Sequence, residues 1–306
     1  MTVIQQEDLI QSVADALQFI SYYHPTDFIK SLAAAYEREQ APAAKDAIAQ
    51  LLINSRMCAE GHRPICQDTG IVTVFLKIGM DVHINGTLPL DEMINQGVRR
   101  AYLLPENKLR ASILSDPAGA RKNTRDNTPA VVSVSMVPGD KLDVIVAAKG
   151  GGSEAKAKFA MLNPSDSIVD WVLKTVPTMG AGWCPPGIIG IGIGGTAEKA
   201  MLIAKEALMD PIDIQDLQAR GARNRAERTA DEKSDDRSDV GIGIEDQGPQ
   251  KSGGEPDDAQ SERAARGLST RIEDRHAGKN AIGADWMAVS IPVRRQLLVV
   301  SFFKNS

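Results

Sequence analysis

The run Ile71-Val72-Thr73-Val74-Phe75-Leu76-Lys77-Ile78 constrains this chain more than any other stretch. It is rich in β-branched residues and carries a single charge, so it reads as a strand buried in a sheet rather than as half of an amphipathic helix. What precedes it is of a different kind. Leu9, Ile10, Val13, Leu17 and Ile20 recur at helical spacing between Glu7 and Ile20, as do Phe28, Ile29, Leu32 and Tyr36 between Asp27 and Glu39. Pro42 opens a third helix with Ala47, Ile48, Leu51 and Leu52 on one side.

Beyond the buried strand the two periods alternate. Asp91–Leu103 and Pro164–Val176 read as helices, and Thr196–Met209 as a long one with Ala197, Ala200, Met201, Ala204 and Leu208 inward. Pro129–Val137 and Lys141–Ala148 are β runs separated by Pro138-Gly139-Asp140, which predicts a hairpin, and Gly187–Ile193 is a glycine/isoleucine strand. The predicted class is α/β or α+β: an N-terminal helical layer followed by a mixed sheet with helices. Past Gln218 the character changes. Residues 223–279 are crowded with Arg, Asp, Glu, Ser and Gly and have no sustained apolar period, which predicts a disordered, charged tail. Trp286–Phe303 is apolar again and reads as a short strand or helix with no evident partner.

Of the 306 residues 42% are apolar, enough for a proper core, and the net charge is −5. That balance argues against nucleic acid or an anionic membrane surface as partner, while leaving room for a local basic pocket and a small anion. The N-terminus has neither a basic n-region nor an apolar h-region, and no apolar run reaches spanning length, so a cytoplasmic location is expected. Three cysteines give no even disulfide framework and point to free thiols or metal ligands.

Two of those thiols sit among turn formers and polar groups: Cys66 in Pro64-Ile65-Cys66-Gln67-Asp68-Thr69-Gly70, and Cys184 in Gly182-Trp183-Cys184-Pro185-Pro186-Gly187. This is how a chain presents thiolates to a metal centre in a cleft. Asp68 beside such a centre can give or take a proton. Cys58 ends a helical pattern and is expected to be buried filler. In Lys149-Gly150-Gly151-Gly152-Ser153 the glycines mark a close approach of backbone to a ligand or to other backbone, or else a flexible turn; backbone amides there can hold an anion with Lys149 and Ser153 assisting. Gly190-Ile191-Gly192-Ile193-Gly194-Gly195 has the form of a dinucleotide fingerprint, but no second strand ending in an acidic residue follows, so close strand-on-helix packing or an anion at the helix start is expected instead. Arg110 is the candidate carboxylate clamp. The four histidines are scattered without ligand spacing.

Taken together, Cys-Gln-Asp-Thr-Gly at 66–70, Lys-Gly-Gly-Gly-Ser at 149–153, Asn-Pro-Ser-Asp at 163–166, Cys-Pro-Pro at 184–186 and Ile-Gly-Gly-Thr at 193–196 resemble the class I, iron–sulfur-dependent fumarate hydratases, within the broader fumarase/tartrate dehydratase hydro-lyases. The resemblance covers roughly residues 1–222, leaving 223–306 unmatched. It implies a [4Fe-4S] cluster held by three cysteines, with Cys66 and Cys184 matching two ligands, Gln67, Arg110 and Gly152 matching substrate-pocket positions, and Asp68 matching an acid/base. It further implies interconversion of fumarate and (S)-malate within the tricarboxylic acid cycle, or a tartrate dehydratase α-type role, with a homodimer and a separate β-type subunit as expected partners.

The family's third cluster cysteine follows the Cys-Pro-Pro motif, and this chain has no cysteine after Cys184. The family's second half, with further substrate-binding cations, is also unmatched. The family-like sequence stops near Arg223 in the manner of a reading-frame shift or truncation. A non-catalytic remnant and a metal-free anion-binding module are therefore the competing expectations.

Overall fold

The computed structural model describes residues 2–163, 165–180 and 188–210, and the backbone of 285–290 and 297–302. In chain order the elements are β1 (Thr2–Gln5), α1 (Gln6–Tyr22), α2 (Thr26–Arg38), α3 (Pro42–Gly61), β2 (Ile71–Gly79), β3 (Val82–Asn85), α4 (Leu90–Tyr102), β4 (Leu114–Ser115), β5 (Lys122–Asn123), β6 (Val131–Val137), β7 (Leu142–Lys149), α5 (Gly151–Glu154), β8 (Lys158–Leu162), α6 (Ile168–Thr178), β9 (Gly190–Ile193), α7 (Ala197–Ala207), β10 (Asp285–Ser290) and β11 (Leu297–Phe302). Helices and mixed sheets interleave as the sequence predicts. They form two compact units, one of Met1–Pro25, Leu51–Glu154 and Val293–Ser306, the other of Thr26–Gln50 and Ala155–Pro292. No helix among the described residues is long and apolar enough to cross a membrane.

The first unit is built on a four-stranded sheet in the order β11-β7-β2-β6. Here β2 runs parallel to β6 and antiparallel to β7. Val72, Val74, Leu76 and Ile78 of β2 stand directly opposite Ala148, Val146, Val144 and Leu142 of β7. This ladder shares one core with Leu9, Ile10, Val13 and Leu17 of α1 and Met93, Ile94 and Val98 of α4. Each fully buried valine, leucine or isoleucine there contributes about 1.5–3 kcal/mol. On the alternate positions Thr73 and Phe75 are buried too, so both faces of β2 are covered. That is the physical reason its sequence shows no polar alternation.

The expected hairpin of β6 and β7 is corrected: the two do not pair, because β2 lies between them. The Pro138-Gly139-Asp140 turn wraps the end of β2 instead. Gly79 N donates to Lys141 O at 2.8 Å, Met80 N to Val137 O at 2.9 Å and Asp81 N to Gly139 O at 2.9 Å. The most apolar run takes an interior position with two strand neighbours, as β7 does, so both of its hydrogen-bonding edges are satisfied away from water.

The second unit contains a sheet in the order β8-β10-β9, with β10 antiparallel to both neighbours. Helix α7 packs on β9 so closely that a Cβ added at Gly190 or Gly192 would lie 2.2 Å from Ala204 O or 2.1 Å from Ala200 O. These glycines therefore serve the strand-on-helix contact that the sequence reading preferred over a nucleotide loop. Helix α6 starts where the polar run places it, with the Ser167 hydroxyl accepting from Asp170 N at 3.2 Å.

The expectation that Trp286–Phe303 lacks a partner is also corrected. Within that stretch β10 fills the middle of the second sheet, and β11 pairs antiparallel with β7 at the edge of the first. Both partners are far away in sequence, which is why no local pattern announced them. The tail at 223–279 and the boundary at residue 222 lie outside the described residues.

The connection between β4/β5 and β6 holds backbone strain at an exposed arginine. Arg125 has φ 69°, in the left-handed region that costs a non-glycine residue about 1–2 kcal/mol. Part of that cost is offset in Arg125→Gly by the greater freedom of glycine in the unfolded chain. The substitution is expected to raise stability by ~0.5–1 kcal/mol. Thermal unfolding checks it, and an unchanged or lower midpoint would contradict this account.

Candidate active site

Because β2 and β7 are antiparallel neighbours with Ile71 opposite Lys149, the start of one and the end of the other share one end of the sheet. The turn at 66–70 and the glycine run at 149–153 are thereby forced together. Their link is Asp68. Its Oδ1 accepts from Gly70 N at 3.1 Å, closing the turn, and its Oδ2 accepts from Gly151 N at 2.9 Å, at the start of α5. Each oxygen keeps a further lone pair, so the carboxylate is oriented without being used up.

A third segment joins them, the stretch after α4. Arg110 Nη1 donates to Gln67 O at 3.4 Å, while the Thr69 hydroxyl donates to Arg110 O. Tyr102, fully buried at the end of α4, donates its hydroxyl to Thr69 O at 2.9 Å. Burial pushes its phenol far above the usual tyrosine range, so Tyr102 is a neutral, permanent donor. Asn127 completes the frame, donating Nδ2 to Gly70 O at 3.0 Å and accepting from Ser112 N at 2.9 Å.

Of the residues singled out from sequence, Cys66, Gln67, Asp68, Arg110 and Gly152 all fall at this end of the first unit, and Cys184 lies outside the described residues. Cys66 is half-buried, its thiol 3.2 Å from Gln67 Oε1, while Gln67, Arg110 and Gly152 are exposed. Cys58 is buried filler as expected, its thiol donating to Pro64 O at 3.6 Å and Asn54 Oδ1 at 3.7 Å.

One part of the anion-binding reading is corrected. Lys149 is only 3% exposed along its side chain and pairs with Glu154 at 2.9 Å, and Ser153 is buried with its hydroxyl donating to Gly150 O at 3.0 Å. Both brace the glycine run. The anion on the Gly151 amide is Asp68 itself. Tyr102 and Asn127 escaped the sequence reading. A helical pattern absorbs the first, and the second sits in Arg125-Asp126-Asn127-Thr128-Pro129, whose turn formers beside a proline were the available signal.

The family profile described as Fumarate hydratase (Fumerase) matches residues 10–250. The chain belongs to this family. Fumerase-family membership makes it a member of a group of hydro-lyases, and the named relatives agree. A Methanocaldococcus jannaschii protein provisionally named L(+)-tartrate dehydratase subunit alpha is 32% identical over 206 residues, which is 65% of this chain and 72% of that protein. The L(+)-tartrate dehydratase subunits alpha of Escherichia coli O157:H7 and of Shigella sonnei are each 27% identical over 207 residues, 67% of this chain and 68% of theirs.

Whether the residues present suit the family's iron–sulfur group can be judged from the thiols. Cys66, half-buried at the mouth of the turn and beside Asp68, is suited to act as a thiolate ligand; Cys58, enclosed by Asn54 and Pro64, is not. Among the described residues no group of three or more His, Cys, Asp or Glu side chains is placed to hold a metal ion. A cluster here would need Cys66 together with residues beyond the described ones, of which Cys184 is the thiol in sequence.

Proposed function

We propose that this chain, through residues 1–222, is the α-type part of a hydro-lyase that dehydrates a four-carbon 2-hydroxy dicarboxylate. The family description favours the pair (S)-malate and fumarate, and the names of the relatives favour L(+)-tartrate. The observation that carries the reading is the convergence of a half-buried thiol, a hydrogen-bonded carboxylate and an arginine at one end of a sheet.

Dehydration removes hydroxide from C2 and a proton from C3, leaving a C2–C3 double bond and water. Arg110 holds a substrate carboxylate, for which its guanidinium geometry is matched. Asp68 moves a proton at the lone pairs that its two amide partners leave open, and those amides keep it aimed. Gln67 supplies an amide to the substrate hydroxyl or carboxylate, and the exposed backbone of Gly152 lets substrate approach without a side chain in the way. Cys66 and Cys184 would hold a [4Fe-4S] cluster, which when bound supplies a Lewis-acidic iron to assist departure of the hydroxyl. The names of the relatives as α subunits support a separate β-type partner that brings the remaining cations.

Anaerobic purification with iron and sulfide quantification, followed by malate and tartrate dehydration assays with and without a β-type subunit, tests this. Bound iron and sulfide with turnover of one of the two acids is expected. Neither bound iron nor turnover of either acid with a β-type subunit present would overturn it, and the preferred acid decides between the two substrates.

A further inference from the structure

Asn127 is completely buried, 0% exposed, and held at φ 61°. Its side-chain amide bonds neither to its own turn nor to solvent. It reaches Gly70, the last residue of the turn that carries Asp68, and Ser112, two residues beyond Arg110. One side chain thus ties together two segments that lie 57 and 15 residues away along the chain.

Asn127 is itself anchored to the core. On one side Asp126 pairs with Arg99 of α4 at 3.3 Å and accepts from Thr128 N at 3.1 Å and Thr128 Oγ1 at 2.8 Å. On the other, Ala130 N donates to Asn95 of α4 at 2.9 Å. Helix α4 belongs to the main apolar core. Tyr102 of α4 already holds Thr69 of the turn, and Asn127 adds a second tie to the same helix that reaches the end of the turn and the arginine segment together.

We propose that Asn127 is a positioning residue that fixes the Asp68 carboxylate relative to the Arg110 guanidinium, and so fits the pair to a short dicarboxylate. The identity of the ligand rests on the function proposed above; the fixing of the turn does not. A buried amide with both ends paired is suited to this task, because losing it loosens the turn and the arginine segment together while leaving their own sequence, and the Tyr102 bond to Thr69, intact.

The test uses the full chain, purified anaerobically, as wild type, Asn127→Gly, Val13→Ala and Arg110→Ala. Glycine removes both bonds without adding strain at positive φ, and Val13→Ala is a control that weakens the core between α1 and α4 away from the turn. Hydrogen exchange is followed at the amides of Gly70 and Gly151, the two that Asp68 accepts from. Asn127→Gly is expected to speed both at least tenfold and to raise at least tenfold the Kd for whichever of L-malate and L(+)-tartrate the wild type binds more tightly. Val13→Ala, compared well below its melting point, is expected to change neither more than twofold. Unchanged exchange in Asn127→Gly overturns the inference, as does faster exchange with wild-type affinity for that acid. If wild type and Arg110→Ala bind that acid alike, or if neither binds L-malate or L(+)-tartrate with a β-type subunit present, the functional reading fails, and the exchange data still decide whether Asn127 fixes the turn.

Discussion

On the proposed function, Asp68→Asn is expected to lower turnover of the four-carbon hydroxy acid by a factor on the order of 10²–10⁴, the usual worth of a positioned acid or base. The substitution preserves shape and removes the proton site. Its cost to folding is small by comparison. Asp68 accepts two backbone amides, from Gly70 and Gly151, and an asparagine can present its oxygen to only one of them. The second amide loses a partner at a half-buried, solvent-reachable position, a penalty of about 0.5–1.5 kcal/mol. The expected signature is a collapse of kcat with KM little changed, at a melting temperature only a few degrees lower. Turnover within threefold of wild type would remove Asp68 from the proton-transfer role and leave it as a brace between two loops.

Gly70→Ala has the largest expected effect on the fold. Two penalties act at once. Gly70 adopts φ 87°, where a side chain costs about 1–2 kcal/mol. A Cβ there would also lie 2.6 Å from the carbonyl carbon of Ala148 and 2.8 Å from Lys149 N, and backbone that belongs to a central sheet cannot yield as a flexible side chain does. Overpacking of this kind typically costs a further 1–3 kcal/mol, so a loss of about 2–5 kcal/mol is expected. Equilibrium denaturation of the purified variant measures it, and a loss below about 1 kcal/mol would contradict the close approach of the turn to the end of β7. The contrast with Arg125→Gly is instructive, since both concern positive φ: at Gly70 the glycine is required by what lies opposite, and at Arg125 an arginine stands exposed where glycine would cost less.

Most of the individual elements were legible from sequence because their signals are local. The helical period around Leu9–Ile20 became α1, the start at Pro42 became α3, and the β-branched run at 71–78 became an interior strand buried on both faces. The turn chemistry of Cys66–Gly70 and the glycine run at 149–153 were visible as candidates for the same reason: glycine, aspartate and threonine in such clusters report backbone geometry directly. Family likeness then joined motifs that local pattern could only name one by one.

What the sequence by itself determined was the kind of each segment and the chemistry each carries: buried strand, amphipathic helix, thiol, carboxylate, guanidinium. Pairing and enclosure were decided only by the tertiary structure. A hairpin signal between β6 and β7 gave way to β2, and the apolar stretch at the C-terminal end found strands far upstream in β7, β8 and β9. Lys149 turned inward to Glu154 rather than out to a ligand, and Asn127 joined loops with which it shares no sequence motif. The reason is physical: strand neighbours and buried polar partners are chosen by competition over the whole chain for the arrangement that covers most apolar surface and leaves fewest polar groups unpaired, and that comparison has no local signature.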